Sequence, residues 1–194
     1  MRLIVGITGA TGVIYGVRLL ERLREADVET HLVISRWGAR TLMHETSYSR
    51  EDVEKLAHAS YPPTDMGAAI SSGSFQTAGM IIAPCSAKTL AAIAHGYADS
   101  LIHRAADVVL KERRKLLLAV RETPLSDIHL ENMLKLSRMG AVMLPPVPAF
   151  YNNPRSLSDI VDHTVARMLD HFGVESGDAT RWVGEMRVGD RSDS

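Results

Sequence analysis

Five residues near the start of the chain, Thr8-Gly9-Ala10-Thr11-Gly12, have the types and spacing that hold phosphate. They follow the apolar run Leu3–Ile7 and precede a helical pattern from Val13. Glycines let the backbone approach phosphate oxygens. A helix starting directly afterwards offers unpaired N–H groups and the positive end of its dipole. A phosphorylated ligand is the expectation, although a glycine-tight strand-to-helix turn without a ligand would carry the same residues. A second candidate is Arg121-Glu122, a charged pair directly after the apolar run that ends at Val120. A third is Lys111-Glu112-Arg113-Arg114-Lys115, a basic cluster at a helix end that partly answers the helix dipole. Arg104, seven residues before Lys111, shares its helix face. Glu45 closes another helix and by itself reads as a solvated glutamate.

Rival chemistries lack their residues. A short-chain dehydrogenase needs a third glycine where Tyr15 stands, and a Tyr-x-x-x-Lys pair that none of the five tyrosines provides. The second strand ends on Ile34-Ser35-Arg36, with no acidic residue to read a ribose. The eight histidines are scattered. His129 and Glu131 lie about 200° apart on a helix, so they do not converge on a metal. The single cysteine, Cys85, stands at a strand end without an adjacent base and reads as a small buried thiol.

These residues need a frame, and apolar runs alternating with helical patterns supply one. Strands are expected at Leu3–Thr8, Val28–Ser35, Gly79–Ala83, Lys115–Val120 and Ala141–Leu144. Helices are expected at Val13–Glu25, from about Arg36 through Glu45, and at Ala87–His95, Leu101–Arg113, Leu125–Arg138 and Ser156–Phe172. Ser49-Arg50-Glu51-Asp52 resembles a capping box opening a short helix through His58. Tyr61–Phe75 reads as a loop with a short extended piece, and Pro145-Pro146-Val147-Pro148 as a rigid turn. The alternation argues for a parallel sheet with helices on both faces, whose ligands bind beyond the carboxyl ends of the strands. Those ends carry Thr8–Gly12, Ser35, Pro84–Ser86 and Arg121-Glu122, converging on one rim.

The chain of 194 residues suits one α/β domain, and its net charge of −1 argues against broad nucleic-acid or membrane binding. One cysteine excludes an intrachain disulfide framework and suits a reducing, cytoplasmic compartment. No signal peptide or bilayer-spanning run is expected. The segment 173–194 is polar and reads as a tail, partly disordered or packed on a neighbour.

Taken together, several stretches resemble the flavin prenyltransferase family (the UbiX and Pad1-type proteins), whose members are often named as components of phenolic acid decarboxylases. The matching segments are Thr8–Gly12, Ser71–Ser74, Pro84–Ser86, Arg104–Val108, Leu110–Arg114, Arg121-Glu122, Ile128–Met133 and Pro148–Tyr151, spread over roughly Arg2 to Trp182. The resemblance implies one flavoprotein domain over residues 1–194, with a Rossmann-like, doubly wound parallel sheet. It implies that a dimethylallyl group passes from dimethylallyl phosphate to N5 and C6 of reduced FMN, without a metal. By the same resemblance Gly9, Ala10, Thr11, Ser35, Ser86, Ala87, Lys88, Thr89 and Arg121 contact FMN. Tyr151, Arg167, Arg104 and Lys111 serve the donor's phosphate, one of the last two across a subunit interface, and Trp182 lies near the prenyl pocket. Glu45, Glu122 and Lys111 match catalytic positions. A homo-oligomer, in the family a dodecamer, and delivery of prenylated FMN to a UbiD-type decarboxylase are also implied. Thr11 keeps the hydroxyl of a serine common in relatives, and Val13-Ile14 are bulkier than the usual small residues. Two alternatives share the FMN expectation: a cysteine decarboxylase of the same fold and a protein that only carries FMN. Against the first, Lys88 stands where that group's loop has asparagine.

Overall fold

The structure is a computed structural model and describes residues 1–175. Six parallel strands form one sheet: β1 (Arg2–Ile7), β2 (Glu29–Ile34), β3 (Ala59–Tyr61), β4 (Gly79–Cys85), β5 (Lys115–Val120) and β6 (Val142–Met143). Their order is β3-β2-β1-β4-β5-β6. The winding therefore reverses between β1 and β4, and this is where open α/β sheets leave a crevice for ligands. Side chains alternate across the sheet. Leu3, Val5, Ile7, Ile81, Leu117 and Ala119 join one apolar cluster, and Ile4, Met80, Ile82, Leu116 and Leu118 join the other. α1 (Ile14–Glu25) and α7 (Leu157–Asp170) cover the first face. α4 (Ala87–Ala94), α5 (Leu101–Lys111) and α6 (Asp127–Arg138) cover the second. α2 (Arg36–Glu45) and the one-turn α3 (Arg50–Glu54) follow β2. The expected doubly wound parallel sheet is present.

Some boundaries differ from the sequence pattern, each for a local reason. The helix opened by the Ser49 capping box stops at Glu54 instead of His58. His58 N–H donates to the Thr30 carbonyl, and Thr30 N–H to His58 Nδ1, which draws the chain onto the sheet as β3. α5 ends at Lys111 because Arg113 turns left-handed (φ 56°), which lets Arg114 N–H donate back to the Val109 carbonyl. α1 begins at Ile14. Val13 is its N-cap and has no side-chain oxygen to cap with.

Candidate functional site

Backbone bonds bind the strand ends into one rim. Thr8, almost wholly buried, accepts from Ser86 N–H at 2.8 Å and donates its hydroxyl hydrogen to the Pro84 carbonyl at 2.8 Å. Ser35 N–H donates to the Ile7 carbonyl, and Arg121 N–H to the Cys85 carbonyl. The loops after β1, β2, β4 and β5 are thus held as a unit at the switch point. In the sequence Thr8 stood out only as the strand end that opens the glycine turn. Its role depends on β4 lying beside β1, a non-local fact.

Three helix N-termini open on this rim, and they are not equivalent. At α1, Glu45 Oε2 accepts from Gly12 N–H at 2.8 Å and from Val13 N–H at 3.2 Å. Two of the amides expected to be open at the glycine turn, those of Gly12 and Val13, are thus taken by Glu45. Val13 cannot cap α1, and the carboxylate at the end of α2 does so instead. At α2, the Ser35 hydroxyl accepts from Gly38 N–H. At α4, the Ser86 hydroxyl accepts from Thr89 N–H. A side-chain cap of this kind satisfies one amide and leaves those of the first two helical positions facing outward. Those positions are Arg36 and Trp37 in α2, and Ala87 and Lys88 in α4. The first pair adjoins the Gly9-Ala10-Thr11 turn through Trp37, and the α4 cap Ser86 is bonded to Thr8 just before that turn. A β-carbon on Gly9 would lie 2.3 Å from Trp37 Cβ, so only glycine lets the turn and α2 meet this closely. Lys88 and Arg121 are exposed and have no ion pair among the described residues. Glu122 is half-buried, with its own Oε1 accepting from Thr123 N–H. Outward amides, hydroxyls and two unpaired cations fit a phosphorylated cofactor such as FMN.

The remaining candidate residues stand elsewhere on this chain. Lys111 ends α5 just before β5 starts, whereas Arg121 follows β5. A six-residue strand puts about 20 Å between those two edges. Lys111 pairs with Glu112 beside Gly73. Arg104, on the same helix, donates Nε to the Ser71 carbonyl at 3.1 Å and pairs with Asp107. Tyr151 and Arg167 form a third group. Tyr151 lies edge-on to His163, and Arg167, one turn further along α7, pairs with Asp170 at 3.0 Å. The His171 carbonyl, just past α7, accepts from Lys115 Nζ at the first residue of β5, so that end of α7 lies at the edge opposite the rim. Arg167, three residues before the end of α7, therefore stands toward that edge of its own chain. Trp182 lies outside the described residues.

Other reactive groups are quiet. Cys85 is fully buried, and desolvation pushes its thiol up to about 12, so it is no thiolate at neutral pH. His129 Nδ1 accepts from Ser126 N–H in a reciprocal cap. Among the described residues no three His, Cys, Asp or Glu side chains are grouped to hold a metal, and no helix is long and apolar enough to cross a membrane.

Comparison with known proteins identifies the frame. The flavoprotein family model matches residues 1–169. The mitochondrial flavin prenyltransferase PAD1 of Saccharomyces cerevisiae is 57% identical, over 94% of this chain and 76% of its own. The flavin prenyltransferase UbiX of Neisseria meningitidis is 53% identical, over 94% and 97%. Among solved structures, AnUbiX (PadA1) in complex with FMN and dimethylallyl pyrophosphate superposes with a TM-score of 0.94 at 53% identity, over 95% of this chain and 98% of that one. A dodecameric FMN-dependent UbiX-like decarboxylase from Escherichia coli O157:H7 does so at 0.94 and 63%, over 95% and 100%. The peptidyl-cysteine decarboxylase EpiD, at 19% identity and a TM-score of 0.59, shares the fold alone. A glycine turn at the β1/β4 switch point, a family match over most of the chain and identities above one half lead to one assignment: the chain belongs to the UbiX/Pad1-type flavin prenyltransferase family of flavoproteins.

Proposed function

We propose that this protein prenylates reduced FMN with dimethylallyl phosphate and passes the product to a UbiD-type decarboxylase in the cytoplasm. The observation that carries the reading is the rim: outward amides at two helix N-termini, the Gly9–Thr11 turn and the unpaired Lys88 and Arg121 at the switch point of a flavoprotein sheet. FMN supplies the reaction with its nucleophilic ring positions, N5 and C6. Gly9, Ala10, Thr11, Ser35 and Ser86–Thr89 bind and orient it, and Arg121 adds charge. Glu45 and Glu122, the two carboxylates of the rim, are the groups able to hold the proton that leaves the ring carbon. The donor's phosphate departs as an anion, and Arg104, Lys111, Arg167 and Tyr151 stabilise it.

Because Lys111 and Arg167 lie toward the edge opposite the rim of their own chain, the proposed site needs neighbouring chains. We infer a homo-oligomer, a dodecamer like the relative from Escherichia coli. The test is mass spectrometry of flavin extracted after the purified protein meets reduced FMN and dimethylallyl phosphate. A gain of one dimethylallyl unit is expected. Recovery of unmodified FMN would leave a flavin carrier and overturn the enzymatic reading.

A further inference from the structure

His163 is half-buried on α7, and both of its ring nitrogens are engaged. Nδ1 lies 2.8 Å from Asn152 Nδ2, and Nε2 lies 3.5 Å from the Tyr151 hydroxyl. The Tyr151 ring stands edge-on to the imidazole, with centroids 5.9 Å apart and planes at 90°. An amide nitrogen only donates, so Nδ1 must accept, and a neutral imidazole then carries its hydrogen on Nε2. That hydrogen points at the Tyr151 oxygen. It occupies a lone pair there and turns the phenol's own hydrogen away from the ring. The charged groups facing His163 are Arg167 and Asp170, both on its own helix, and Tyr151 is the titratable neighbour from the facing segment. Burial and the Arg167 charge hold the imidazole below its usual range, which keeps it neutral at pH 7.

We propose that His163 is a positioning residue for the allylic phosphate: fixed by Asn152 in the Nε2–H form, it sets the direction in which Tyr151 donates. The inference rests on the assignment of Tyr151 and Arg167 to the donor's phosphate. A hydroxyl locked in direction gives an anion a preorganised donor, whereas a free rotor must first be ordered. Neither His163 nor Asn152 touches the reacting atoms. Their effect passes through Tyr151 and belongs to donor binding, not to the chemical step.

The test uses the FMN-loaded full-length protein and isopentyl phosphate, the saturated analogue that cannot react. His163→Phe keeps the edge-on packing but has no ring nitrogen. It is expected to weaken analogue binding by calorimetry about 10-fold, with the same rise in KM for dimethylallyl phosphate. Both kcat and FMN affinity should stay within about twofold of wild type, as for lost uniform binding. His163→Gln, whose amide can donate to Tyr151, should recover part of the loss. In a Tyr151→Phe background His163→Phe should cost almost nothing more, because the two act as one unit. Unchanged analogue binding in His163→Phe, or an undiminished loss in the Tyr151→Phe background, would overturn the proposal. If the wild type bound the analogue yet made no prenylated flavin, the prenyltransferase reading would fail while the positioning role was still judged by calorimetry.

Discussion

Glu45 shows how much one carboxylate can carry. It accepts from the Gly12 and Val13 amides just before α1 and stands on the same rim as the glycine turn. Glu45→Gln preserves an oxygen for that cap but removes the base. Single-turnover prenylation, read by mass, should slow by about 100-fold or more with FMN still bound. A wild-type rate would leave Glu45 as a helix cap only. Glu45→Ala should also lose about 1 kcal/mol of stability, the usual value of a cap. Arg167 separates binding from chemistry. On the proposed reading Arg167→Ala removes one charge-assisted phosphate contact, so KM for dimethylallyl phosphate should rise about 10- to 100-fold. FMN affinity by flavin fluorescence should stay unchanged, and loss of flavin binding would place the donor pocket elsewhere.

At the level of elements, Gly16 decides how closely α1 packs. A β-carbon there would lie 2.4 Å from the Ala83 carbonyl oxygen and 2.8 Å from Ile7 Cγ1. Gly16→Ala must push α1 off β1 and β4 and should cost about 1–3 kcal/mol in urea unfolding. Since the cofactor turn leads directly into α1, FMN should also bind more weakly. Strands and helices with clear periodicity were legible in the sequence, because period and cap residues are local signals. Ser86 and Ser156 each cap the helix they precede, whereas Ser126, expected inside a helix from Leu125, is the cap of one that starts at Asp127. β3 was not legible. Only three residues long, it is defined by its pairing with β2 and by the His58–Thr30 bonds, which no local pattern encodes. The glycine turn was legible as a tight strand-to-helix turn. The capture of the Gly12 and Val13 amides by Glu45 was not, because thirty-three positions separate Glu45 from Gly12.

For the molecule as a whole, pH should act through imidazoles that full or partial burial keeps neutral. His103, His163 and His171 are all held below 6.5, chiefly by desolvation. The unfolded chain therefore takes up protons near pH 6.5 that the folded protein accepts only at lower pH. Stability should be full above that value and fall as pH drops beneath it. Glu29, held at about 2 by Arg2 and His31, acts in the same direction further down, its contribution vanishing as pH falls from 4.5 towards 2. Urea midpoints at pH 7.5 and 5.5 should show the first loss, and His103→Asn should reduce it. A midpoint independent of pH would contradict the burial of these rings. The separation of Lys111 from Arg121 by the length of β5 also has a genetic consequence. If every site borrows its lysine from a neighbour, two individually dead chains should rescue each other. Assemblies reconstituted from equal amounts of Lys111→Ala and Arg121→Ala should regain about one quarter of the wild-type sites, the chance that an intact arginine faces an intact lysine. Blends that stay inactive would mean that each chain completes its pocket by itself.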